Sequence, residues 1–248
     1  MYFLFSGEGA TDLGSGKSNA AISEGDDYEP GPMALLADQV ARHRRGVSPL
    51  KEKCCGFVSE TRLKTKAKEL SPAGKKMRLP GVDVPRETGY YFKNARALAS
   101  LANECAEKQK TVIVAVLFRD ADGAASAGRG EWEDKRQSML DGFRVENFGR
   151  GVPMIPKPKS EAWLICALKD ATPQQAAKLE NRSGNDDSPN PLKQELHAHL
   201  KKRYPKNPAH DRERLNGLVQ DGTIDHQKIC MPSFIAFCDD LAKAISAE

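Results

Sequence analysis

Val112-Ile113-Val114-Ala115-Val116-Leu117-Phe118-Arg119-Asp120-Ala121-Asp122 is the stretch that decides the fold class. Seven apolar residues in a row, most of them β-branched, predict a strand buried on both faces, as in the middle of a parallel sheet. Two acids follow at once. In open parallel sheets, sites form outside the carboxyl ends of the strands, so Asp120 and Asp122 stand where chemistry is expected. An acidic turn is the bland alternative, and it leaves unexplained why both acids follow a wholly apolar strand.

Working outward, Tyr2-Phe3-Leu4-Phe5 reads as another buried strand, stopping at Ser6-Gly7-Glu8-Gly9. If the two strands are neighbours, Glu8 joins Asp120 and Asp122. Two like charges ~4 Å apart repel by ~4 kcal/mol at an effective dielectric of ~20, so such a cluster needs protons or a cation. Oxygen ligands with no adjacent Cys or His point to magnesium or manganese rather than zinc. Asp12 follows Glu8 by four residues. A helix starting near Gly9 would put Asp12 in its first turn, on the Glu8 side of a two-metal site with ions ~3.5–4 Å apart; its other reading is a helix cap. Val152 to Ile155 predicts a short strand, and a helix then starts near Ser160, the expected N-cap. Glu161, in the first turn of that helix, is either a further metal ligand or a carboxylate favoured by the helix dipole. Lys157 and Lys159 flank it and are candidates for substrate phosphates. Arg119 either neutralises transition-state charge or pairs with the local acids.

The rest of the chain alternates helical and strand patterns. Met33, Leu36, Ala37 and Val40 have helical spacing, Cys54 to Val58 reads as a short strand, and residues 71–86 look irregular. Tyr91, Ala95, Leu98, Ala102 and Cys105 line one side of a long helix, and 131–147 predicts another. Beyond 170 the pattern is wholly helical, ending in the Phe234, Phe237, Cys238, Leu241 and Ile245 stripe. The expected fold is α/β: a mostly parallel sheet flanked by helices over residues 1–170, with an insertion at about 42–86 and a helical cap or extension at 171–248.

Composition excludes several classes. With 248 residues and 39% hydrophobic content the chain is long enough to build a core. No apolar run approaches the ~18–20 residues of a membrane span, and the start lacks the basic segment of a secretory signal. Cys54, Cys55, Cys105, Cys166, Cys230 and Cys238 contain no C-x-x-C pair and read as reduced cysteines of a cytoplasmic protein. His197 and His199, two apart on a predicted helix, point to different sides and disfavour a zinc site. Net charge is +4, unevenly spread: residues 1–41 carry seven acids and one base, and 42–86 carry thirteen bases and four acids. The basic stretch, with Arg44, Arg45, Lys64, Lys66 and Lys68, reads as a polyanion surface or as a solvated lysine-rich loop; Lys201, Lys202, Arg203 and Lys206 add a second basic group. Gly14-Ser15-Gly16-Lys17-Ser18 imitates a phosphate-binding loop, but Thr11 stands where a glycine is needed and the preceding strand ends too early.

Strand-Glu8-Gly9-Ala10-Thr11-Asp12, followed by a strand ending Asp120-Ala121-Asp122-Gly123, resembles the TOPRIM fold of topoisomerases, bacterial primases and OLD-type nucleases. Its signature is one Glu after the first strand and D-x-D after a later one. OLD-type members add an acid four residues after the first, which Asp12 matches. Glu161-Ala162-Trp163-Leu164 resembles the E-A-x-L segment of small bacterial TOPRIM-type proteins found beside ATPases in phage-defence loci. The resemblance covers roughly residues 1–170, and the long 14–111 interval departs from the family in implying inserted elements. It implies a Mg2+- or Mn2+-dependent nuclease acting on DNA or RNA, a defence effector with an ATPase partner. The metal ligands would be Glu8, Asp12, Asp120, Asp122 and Glu161. The rival reading is a TOPRIM-like module that binds nucleic acid or a partner without cutting.

Overall fold

A computed structural model describes residues 1–18, 20–71, 88–122, 131–203 and 211–247. In chain order the first half contains β1 (Tyr2–Gly7), β2 (Gly14–Gly16), β3 (Ser23–Glu24), β4 (Tyr28–Pro30), α1 (Pro32–Arg45), β5 (Cys55–Val58), α2 (Glu60–Glu69) and α3 (Gly89–Gln109). The second half contains β6 (Ile113–Phe118), α4 (Trp132–Val145), β7 (Gly151–Met154), α5 (Ser160–Leu168), α6 (Pro173–Glu180), α7 (Leu192–Arg203), α8 (Asp211–Gln220) and α9 (Pro232–Ser246). No helix among the described residues is long and apolar enough to cross a membrane.

The five-stranded sheet has the order β3-β5-β1-β6-β7. β5, β1, β6 and β7 run parallel, and short β3 closes one edge antiparallel to β5. The two apolar runs of the sequence are neighbours: β1 pairs with β6 from Tyr2↔Ile113 to Gly7↔Phe118. Their side chains alternate between two cores, as a strand's period of two requires. Phe3, Phe5, Val114, Val116 and Phe118 face one core, made with α1 and α5–α9. Tyr2, Leu4, Ile113, Ala115 and Leu117 face the other, made with α2, α3 and α4. The result is a three-layer α/β/α arrangement, in which β1 and β6 are buried along their whole length. Strands covered on both faces are what the unbroken apolar runs predicted.

Several boundaries differ from the sequence reading. β5 lies inside the stretch expected as an insertion and pairs with β1 over Phe3↔Cys55 to Ser6↔Val58, so that stretch contributes to the sheet. The helices α6–α9 share one continuous core with the sheet: Trp163 on α5 donates from Nε1 to Ser233 Oγ at 2.9 Å, and its ring meets Phe234 edge-on, 4.9 Å between centroids. No helix starts at Gly9. Residues 9–13 make a turn instead, with Asp12 N and Leu13 N both donating to Gly9 O, and Gly9 has φ +78°. Most of the irregular 71–86 stretch, together with Gly123 and Lys206, lies outside the described residues.

Candidate functional site

The carboxyl ends of β1 and β6 lie side by side, and each delivers an acid. Gly7 makes the close approach possible: a Cβ there would stand 2.5 Å from Phe118 O. Glu8 follows directly. Its Oε1 accepts from Asp120 N at 3.1 Å and its Oε2 from Arg119 Nη1 at 2.9 Å. α5 then points its N-terminus at the same place. Ser160 is its first residue rather than its N-cap, which is Lys159 with no capping side chain. The capping is done from outside: Asp120 Oδ1 accepts from Ser160 N at 2.9 Å, a carboxylate at the positive end of a helix. The Ser160 hydroxyl is thereby freed for Asp12, donating to Oδ1 at 2.5 Å. Glu161 Oε2 lies 3.5 Å from the same hydroxyl.

Four expected acids therefore come together: Asp12, Asp120 and Glu161 around Ser160, and Glu8 on the backbone N of Asp120. The fifth does not. Asp122 is exposed, its backbone N donates to Pro158 O at 3.0 Å, and its Cβ sits where a side chain on Gly184 would collide. The acids are crowded and drawn out of bulk water. Desolvation, reinforced by Glu161 and Glu8, pushes the Asp12 carboxyl up to about 6 despite the hydrogen bond from Ser160. Desolvation, with Asp12, Glu161 and Glu8 close by, holds Asp120 well above the ordinary range. Among the described residues, no three His, Cys, Asp or Glu are already spaced to hold a metal ion. The donor set, all hard carboxylate oxygens, fits a divalent cation by chemistry, and the present arrangement is a hydrogen-bonded cluster.

Asp12, Asp120 and Glu161 open onto a cleft of about 340 Å³, whose other wall comes from α7 and α8. Lys159 lies at its edge, paired with Asp186 at 2.9 Å. Desolvation works against its charge, but Asp186, Glu161 and Asp120 hold the ammonium pKa above its usual value. Lys157 is half-buried and does not line the cleft. Of the two roles expected for Arg119, it has the second. It is fully buried, Nη1 binds both Glu8 and Glu60 (3.2 Å), and its guanidinium carbon lies 4.5 Å from the Tyr90 ring centroid.

The basic stretch does not gather at the cleft. Arg45, at the end of α1, reaches Met1 Sδ at the opposite end of β1 from Glu8, and Arg44 precedes it. Six strand residues span ~20 Å. On α2, Lys64 pairs with Glu60 (3.0 Å) and Lys66 with Glu104 (2.5 Å), while Lys68 is exposed. The imitation phosphate loop is β2, paired antiparallel with β4, and Lys17 pairs with Glu29 across the ribbon. All six cysteines are free. Sequence reasoning missed Lys193, His197 and Arg212, which line the cleft from α7 and α8. Their segments are rich in charged residues, and only the docking of α7 against α5 and of α8 against α1 distinguishes them.

The raised carboxyls set a pH dependence. A group whose folded pKa exceeds its unfolded value, ~3.9 for Asp, favours folding below the unfolded pKa and loses that contribution as pH rises through the folded one. For Asp12 the window runs from about 4 to about 6 and is worth at most ~3 kcal/mol. Asp120 extends the loss to higher pH. The melting temperature in EDTA is therefore expected to fall between pH 5 and 8, and Asp12→Asn to flatten the fall. An unchanged profile in the variant would show that Asp12 titrates normally.

Comparison of the chain with protein-family models, with curated proteins and with solved structures returned no match.

Proposed function

We propose that the protein is a divalent-cation-dependent phosphodiesterase acting on nucleic acid, with Glu8, Asp12, Asp120 and Glu161 as its acidic centre. The observation that carries this reading is the convergence of four carboxylates beside the ends of two adjacent strands, two of them with pKa raised by desolvation and by one another, at the foot of a cleft with a basic rim. A cation bound there would act as a Lewis acid on a phosphoryl oxygen and lower the pKa of its water. Asp12, Asp120 and Glu161 would hold it, with Glu8 behind them. The chain's own residues prepare the centre. Ser160 fixes Asp12 and Asp120 relative to each other through its hydroxyl and its backbone N–H. Arg119 anchors Glu8 from beneath without reaching the substrate. Lys159 supplies positive charge where a phosphate would approach. The order of these residues along the chain supports a TOPRIM-type, OLD-like assignment and, with it, a phage-defence role beside an ATPase.

The test is cleavage by the purified protein of single- and double-stranded DNA and RNA in Mn2+ or Mg2+, with EDTA as control, alongside calorimetric titration of Mn2+. Cation-dependent cleavage that Glu161→Gln lowers at least tenfold is expected. A second reading, binding without cleavage, is favoured by the self-satisfied hydrogen bonding of the cluster and its lack of a preformed cage. Absence of both cleavage and Mn2+ binding would select it.

A further inference from the structure

We infer that the C-terminal helices supply the wall on which a single nucleic-acid strand lies, with Lys159, Lys193 and Arg212 as its phosphate contacts, and that the cleft admits one strand and not a duplex. The inference rests on the reading above and names its substrate class. The cleft has two chemically different sides. Asp12, Asp120 and Glu161 form one; Lys193, His197 and Arg212 form the other, backed by the buried Leu196, Leu200 and Leu215, with Asp186 beside Lys159. Leu196, Leu200 and Leu215 are 5%, 1% and 8% exposed and belong to the core, so the face turned to the cleft is carried by the cations. Cations are also needed on physical grounds, because a polyanion approaching four carboxylates is otherwise repelled.

The geometry selects one strand. A volume of about 340 Å³ corresponds to a cube ~7 Å on edge, at the small end of ligand pockets. The major groove of a duplex alone is ~12 Å wide, so paired strands do not reach the acids. The cations are placed for the task. Lys193 is exposed and has no ion pair among the described residues. Arg212 is tied down by Ser15 Oγ at 3.2 Å and by the carbonyl of Glu29 at 2.5 Å, which holds its guanidinium at the cleft edge and α8 against the β2–β4 ribbon. The competing basic residues stand elsewhere: Lys64 and Lys66 lie on α2 and do not line the cleft, and Arg45, preceded by Arg44, reaches Met1 at the opposite end of β1.

The experiment is fluorescence anisotropy of the wild-type protein in EDTA with a labelled short oligothymidylate and with a blunt duplex of equal length. Single-strand binding at least tenfold tighter than duplex binding is expected. Three phosphates neutralised give a log–log salt slope of about −2, at ~0.7 per phosphate. Lys193→Glu should weaken single-strand binding about tenfold and flatten the slope by about 0.7. An exposed substitution of this kind leaves the fold intact, which its melting curve checks. Lys64→Glu with Lys68→Glu should change neither quantity. Equal affinity for duplex, no binding of either probe, or sensitivity to the α2 pair with none to Lys193→Glu would each overturn the inference. Hydrolysis of a small chromogenic phosphodiester in Mn2+ needs the carboxylates and not the wall. Its persistence without strand binding would remove this inference and leave the acidic centre standing.

Discussion

Asp120→Asn is expected to lower cation-dependent phosphodiester cleavage by about a thousandfold while leaving the protein at least as stable as the wild type. The amide keeps the shape of the carboxylate and still accepts from Ser160 N, so α5 keeps its cap. What is lost is the charge nearest the centre of the cluster. A cation-stabilised transition state is worth several kcal/mol, and ~4 kcal/mol is about a thousandfold in rate. Stability moves the other way, because Asp12, Glu161 and Glu8 all disfavour the Asp120 charge. In EDTA at pH 8 the variant should melt at or above the wild-type temperature, and it should lose the stabilisation that Mn2+ gives the wild type. Asp122→Asn is the matched comparison. Its carboxylate lies outside the cluster, so most activity should survive. Cleavage by Asp120→Asn at more than a tenth of the wild-type rate, measured under single turnover, would remove Asp120 from the chemistry.

Arg119→Met should be the most destabilising single change in the site region. The guanidinium is completely buried, while the Glu8 and Glu60 side chains it joins are 22% and 35% exposed. Breaking a buried pair by removing one partner typically costs 3–5 kcal/mol. The partial exposure of the carboxylates places this case near the lower value, ~3 kcal/mol. For a chain of this size that is a melting temperature lower by about 6–12 °C. Glu60 reports the change independently. Desolvation opposes its charge, but Lys64 and Arg119 hold its carboxyl below the usual range. Activity should fall with it through kcat and hardly through KM, because Arg119 does not reach the cleft. Arg119→Lys should restore part of the stability. A kcat unchanged in the Met variant at a temperature where it is folded would show that Glu8 needs no anchor.

The parallel sheet was legible because its two central strands are apolar on both faces, a pattern that little else in a chain of this composition produces. The same runs located Glu8 and Asp120, since the acids are tied to strand ends and the strands are neighbours. Asp12 was found by its distance from Glu8, although the helix expected to carry it is a turn. Asp122 shows the limit of spacing: four residues beyond the strand end, backbone hydrogen bonding to Pro158 turns the chain away from the cluster. Ser160 was read as a cap from its position before a helical run, but the cap comes from Asp120, 40 residues earlier. Lys193 and Arg212 could not be singled out because their role depends on where α7 and α8 dock. The lysines of α2 were conspicuous by number and prove to be largely neutralised by their own surroundings.

The bond from Ser160 to Asp12 spans 148 residues, and the one from Asp120 to Glu8 spans 112. Closing such loops costs entropy that no local contact repays, so contacts of this range form late and slow the folding of the chains that depend on them. None of the four acids has a neighbouring acid of the cluster within its own helix or strand. A chain with only its local elements formed holds four separated, ordinarily hydrated carboxylates. The electrostatic tension of the centre, and with it any capacity to attract a cation, arises in one step with the complete tertiary structure.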